Sequence, residues 1–110
     1  MAVVHETHAV ELSATTDSIQ YDGDSIEVSP MDDGLELRSI APSGAVVGTE
    51  IVIVNVSATR SFMLPHASAN GSMGGRFFTP DGADIILAPF EQVWGVLREA
   101  SGREGWWLQL

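Results

Sequence analysis

Apolar and polar residues alternate with a period of two along most of this chain, and turn residues separate the runs. "SIQY" (18–21) ends at Asp22-Gly23, "DSIEVS" (24–29) leads to Asp33-Gly34, and "LELRSI" (35–40) follows. Such alternation puts successive side chains on opposite faces of a strand. Asp-Gly between alternating runs predicts a tight hairpin, because both central positions of a type I′ turn take positive φ. Two such turns in succession predict a small β-meander. "EIVIVNV" (50–56) has β-branched residues at almost every position, which predicts a strand buried on both faces or held at a subunit contact. "SFML", "GRFFT", "ADIILA", "QVWGVLRE" and "GWWLQL" complete the series, with Thr79-Pro80-Asp81-Gly82 patterned as a type I turn.

Helical periodicity is weak and confined to "APFEQVWGVLREAS" (88–101), where Pro89, Gly95 and the Val/Trp content favour a strand. The expected class is therefore all-β. Its expected form is an antiparallel β-sandwich or jelly-roll-like barrel of at least seven strands, with an N-terminal acidic arm or small β-meander. Aromatic residues sharpen this division. Tyr21 stands alone in the first half, whereas Phe62, Phe77, Phe78, Phe90, Trp94, Trp106 and Trp107 lie in the second. Large aromatics dominate core energetics, so residues 50–110 are expected to form the core module and residues 1–49 a thinner layer on one compact domain.

Charge follows the opposite gradient. The chain of 110 residues carries a net charge of −10, of which residues 1–50 contribute −9, with Arg38 their only cation. An acidic surface of this kind repels nucleic acid and anionic membranes, leaving a basic or neutral protein surface as the compatible partner. The chain has no cysteine, so disulfides and thiolate chemistry are excluded. The N-terminus lacks the basic and apolar segments of a signal peptide, pointing to a soluble, unexported product made in the cytoplasm of its host cell.

Candidate chemistry is sparse. His5 and His8, three apart, fall on opposite faces of a strand and make a poor metal pair. Asp22/Asp24 and Asp32/Asp33 flank Asp-Gly turns, where Asp is expected in any case, and lack the spacing of a calcium loop. "GSMGG" has neither the lysine nor the helix of a phosphate loop. In "SFMLPHASANGSMGGRFF" (61–78) the lone His66 has no second catalytic group and reads as a hydrogen-bonding organiser of a loop between two strands. No catalytic residue, cofactor or metal ligand is assigned. Trp106-Trp107 is the best signal of a surface task, since one indole of the pair faces the core and the other faces outward beside the Arg103 loop, where it is either an interface anchor or sugar platform, or a ring covered by the N-terminal arm.

The second half carries a wider pattern. An apolar strand ends in Asn ("IVIVNV", Asn55), an alternating strand leads to a His-x-Ser loop ("FMLPHAS", His66 and Ser68), and an Asn precedes Arg-Phe ("ANGSMGGRFF", Asn70, Arg76, Phe77). An "L-x-P" step ("DIILAP", Leu87 and Pro89), an apolar strand ("VWGVL") and a terminal Trp strand ("GWWLQL") complete it. In these features residues 50–110 resemble a β module of tailed-phage virion proteins, found in tail-fibre, head-fibre and capsid decoration proteins. That family often has Gly after the Pro of the "L-x-P" step and Tyr-Asp at the end of the next strand, where this chain has Phe90 and Leu97-Arg98.

The resemblance implies a β-sandwich or jelly-roll module that forms a homotrimer and serves a structural or adhesive role without catalysis. With only a 49-residue acidic leader, the expectation is a trimeric decoration (cement) protein on the capsid exterior. It would bind the major capsid protein, with the N-terminal segment against a basic capsid surface. Interface candidates are Phe62, His66, Asn70, Arg76, Phe77, Trp94, Trp106 and Trp107, of which Phe62, Phe77, Trp94 and Trp106 are also expected in the core. The alternatives are a fibre-tip or head-fibre adhesin holding a host surface glycan on Trp107, and a cupin-like enzyme using His66.

Overall fold

A computed structural model describes residues 7–100 and 103–109. All regular structure among them is β: Thr7–Leu12 (β1), Ile19–Gln20 (β2), Ser25–Pro30 (β3), Leu35–Glu36 (β4), Ile40–Ala41 (β5), Glu50–Asn55 (β6), Phe62–Leu64 (β7), Arg76–Phe78 (β8), Ile85–Leu87 (β9), Gln92–Arg98 (β10) and Gly105–Gln109 (β11). The all-β expectation holds.

The chain coils. On one side β1, β3 and β6 lie parallel, with Thr7 beside Ser25 and Ser25 beside Val52. On a second side Thr16 bridges Leu37, and β4 runs parallel to β7. On a third, β2 runs parallel to β5, and the Ile40 N–H donates to the Gly75 carbonyl at 2.9 Å. Three successive passes therefore stack like the coils of a β-solenoid, each pass supplying the backbone partners of the next. The C-terminal strands then close the coil by reversing direction: β9 pairs antiparallel with β7, β10 with β6, and β11 with β10, while β8 joins the outer edge of β11 in parallel. The result is a six-stranded sheet in the order β1-β3-β6-β10-β11-β8, with sheets of three and two strands on the remaining sides.

This corrects the expected meander. Gly23 and Gly34 do adopt positive φ, at 126° and 75°. Neither Asp-Gly turn makes a hairpin, however, because the strands on either side of each enter different sheets. The turns are corners of the coil. A second correction concerns "EIVIVNV": Ile51, Ile53 and Asn55 are buried, but Val52 and Val54 are only half-buried, so β6 has one core face and one outer face.

One core joins both halves of the sequence. Leu12, Ile26, Val28, Leu37 and Ile40 pack in a single cluster with Ile51, Ile53, Phe62, Leu64, Phe77, Trp106 and Leu108. Residues 1–49 are thus part of the fold wherever they are described, and β1 is a strand of the main sheet instead of a free arm. Tyr21 stacks on Trp106 at 5.9 Å between ring centroids, and the Trp106 Nε1–H donates to the Ile40 carbonyl at 2.8 Å. At one end of the sheet the buried Asn55 side chain donates to the carbonyls of Arg60 (2.7 Å) and Leu87 (2.9 Å) and accepts from the Ser57 N–H (2.9 Å). This satisfies a polar group whose burial would otherwise be costly.

Candidate functional site

Alternation along β10 decides what the main sheet shows to its surroundings. Val93, Gly95 and Leu97 face the core, whereas Gln92, Trp94, Val96 and Arg98 face outward. Register extends this outer face sideways. Trp94 lies between Val52 and Gln109, and Val96 between Glu50 and Trp107, with Phe78 next beyond Trp107. Trp94 is 53% exposed, a large apolar side chain standing in open solvent.

Around Trp107 the outer face becomes an aromatic row. The Arg98 guanidinium sits 5.7 Å from the Trp107 ring centroid, and the His66 ring meets Phe78 edge-on at 5.7 Å. The Trp107 Nε1–H donates to the Arg103 carbonyl at 3.0 Å, which fixes the indole against the loop that precedes β11. A cleft of about 320 Å³ opens here, lined by His66, Phe78, Thr79, Pro80, Arg103, Trp107, Leu108 and Gln109. Two smaller hollows flank Trp94. One of about 270 Å³ is bounded by Asp24, Glu50 and Val52, and one of about 210 Å³ by Glu50, Val96, Arg98 and Gln109.

His66 is held at both ends. Its backbone N–H donates to the Asp84 carboxylate at 2.8 Å, and its Nδ1 accepts from the Thr79 N–H at 3.0 Å, with the Thr79 hydroxyl 3.2 Å away. These bonds tie the loop after β7 to the turn between β8 and β9, the organising role expected from the sequence. With Nδ1 serving as acceptor, Nε2 carries the proton of the neutral ring.

The remaining candidates separate cleanly. Phe62, Phe77 and Trp106 are at most 1% exposed and so lie in the core, out of reach of a partner. Trp94 does the reverse: expected in the core, it lies on the outer face. The sequence contained the signal, since Gln92 and Arg98 share a strand face with Trp94 while Leu97 does not. His66 and Trp107, far apart in the chain, meet in the same cleft. Asn70 is exposed on the 66–75 loop, its N–H donating to Ser68 Oγ at 3.3 Å, and it does not line the cleft. Arg76 is half-buried on β8, beside Met73, Phe78 and Glu104. Arg98 carries no local signal in the sequence, because its place on the aromatic row depends on the pairing of β10 with β11.

Among the described residues no group of three or more His, Cys, Asp or Glu side chains is placed to hold a metal ion, and His5 lies outside those residues. Among the described residues there is no helix long and apolar enough to cross a membrane. Comparison with protein-family models, curated proteins and solved structures finds no match to this chain.

Proposed function

We propose that this protein is a structural component of a tailed-phage virion, a homotrimeric decoration protein that binds the head shell and stabilises it. The observation that supports this most is the outer face of the six-stranded sheet. Trp94, Trp107, Phe78 and three valines occupy a surface that a β domain working alone would fill with polar residues. Such a face acts by being covered. The motif pattern of residues 50–110 supplies the particle, and the acidic first half supplies a second surface suited to a basic capsid lattice.

The mechanism is binding free energy. A protein that bridges capsid subunits binds the assembled lattice and not its separated parts, so it stabilises the shell by mass action. A trimer on a local threefold multiplies three modest contacts through effective concentration. Because the acidic half carries one cation, Arg38, bonded to Asp17 (2.7 Å) and Glu36 (3.2 Å), most of its carboxylates remain for the partner.

A second reading rests on the cleft at Trp107. An indole face beside Arg103 and His66 suits a host surface glycan, stacked on the ring and hydrogen-bonded at the rim. Co-sedimentation with empty capsids of the encoding phage separates the two. Saturable binding that weakens as salt is raised supports the decoration role. No capsid binding, together with glycan binding lost in Trp107→Ala, would replace it with the adhesin.

A further inference from the structure

We infer that the outer face of the six-stranded sheet is the contact between copies of this chain, with Trp94 as its anchor. The inference rests on the self-assembly proposed above, and adds the surface and residues that carry it.

Charge selects the occupant. Two copies each at −10 repel over most of their surfaces, and the repulsion extends roughly 8 Å at physiological salt. The outer face is different, because its charges are sorted by strand. Glu11, Glu27 and Glu50 stand on the β1-β3-β6 side, whereas Arg98 on β10 and Arg76 on β8 stand on the other, where Arg103 lies beside Trp107 and Glu104 beside Arg76. A neighbouring copy that brings its Arg98 side against the Glu50 side meets opposite charge, so the face complements itself. A uniformly basic partner would confront Arg98 and Arg103, and a uniformly acidic one Glu27 and Glu50.

Shape agrees with charge. Trp94 is a ridge with a hollow on each side, and each hollow includes Glu50 in its wall. The Trp94 ring of one copy can therefore enter the hollow beside Trp94 of the next, burying an indole against Val52 or Val96 and bringing Arg98 to Glu50. Aromatic anchors with an arginine at their rim are the usual centres of binding energy in protein interfaces.

The test is sedimentation equilibrium and native mass measurement on the full chain and three variants. Trp94→Ser removes an exposed side chain, so its urea midpoint should stay near that of the parent while the dissociation constant rises by about 30-fold or more. Arg98→Glu should weaken assembly about tenfold, and Arg98→Glu with Glu50→Arg should return it to within about threefold of the parent. A trimer that persists in Trp94→Ser overturns this face and leaves the trimeric reading standing. A dimer lost in Trp94→Ser upholds the face and overturns the trimer. A parent chain that is monomeric at high concentration overturns both.

Discussion

The side-chain amide of Asn55 donates to the carbonyl of Leu87 at 2.9 Å, joining two segments 32 residues apart inside the core. The same nitrogen reaches the Arg60 carbonyl, and the amide oxygen holds the Ser57 N–H. One residue thus closes the turn after β6 and fastens β9 beneath it. Replacing Asn55 with Ala strands the buried Leu87 carbonyl and frees the partly buried Arg60 carbonyl and Ser57 N–H, at a cost of about 2–3 kcal/mol. Asn55→Asp keeps the acceptor but sets a carboxylate against two carbonyls, and should be at least as harmful. Urea denaturation of both variants checks this, and a loss below about 1 kcal/mol in both would remove the bond network from the account.

Phe90 presents the opposite case, a residue that the backbone tolerates poorly. Its φ is +64°, in the left-handed region that disfavours side chains with a Cβ, and the ring is 69% exposed. This is the position after the "L-x-P" proline where the resembled family often has glycine. Phe90→Gly keeps the N–H that donates to the Asn55 carbonyl at 2.9 Å and releases the strain. The variant should be more stable by up to about 1 kcal/mol, read as a higher urea midpoint at unchanged slope.

Gly75 is required for a different reason. Its φ is not positive, but a Cβ at this position would sit 2.8 Å from the Ile40 carbonyl carbon and overlap its oxygen. Two passes of the coil meet backbone to backbone here. Gly75→Ala should cost about 2–4 kcal/mol by forcing them apart, and the loss of protection at the Ile40 amide in hydrogen exchange should exceed that at the Val52 amide.

Trp106 combines packing with a polar anchor. Trp106→Phe removes the donor to the Ile40 carbonyl and part of the surface stacked on Tyr21, leaving a buried acceptor unpaired. A loss of roughly 2–4 kcal/mol is expected from the cavity and the stranded carbonyl together. Trp107→Phe should cost less, because that ring is half-buried on the outer face. Equal losses at the two positions would contradict the assignment of faces.

Much of the site was legible locally. Period-two alternation separates Trp106 from Trp107 and Phe77 from Phe78, and both separations are found in the structure. The loop-organising role of His66 followed from its isolation between two strand runs. The placement of Trp94 was available too, yet its bulk argued for burial where its strand neighbours Gln92 and Arg98 argued against it. Pairing was not legible. Asp-Gly is favoured wherever the chain turns with positive φ, and a corner leading to another sheet has the same local requirement as a hairpin.

By itself the amino-acid order determined an all-β chain, its strand runs, the faces of most of those runs, and the skew of acid toward one half. These are properties of neighbouring residues and short periods. Only the tertiary structure decided that β1, β3 and β6 stack in parallel, that Leu12 to Ile40 share a core with the second half, and that His66, Phe78, Trp107 and Arg98 form one row. The passes of the coil are unequal, stepping from Thr7 to Ser25 and then to Val52, so no repeat marks them in the sequence. Backbone hydrogen bonds between strands carry no side-chain signature, and partners so far apart in the chain are chosen by which arrangement buries every apolar face at once.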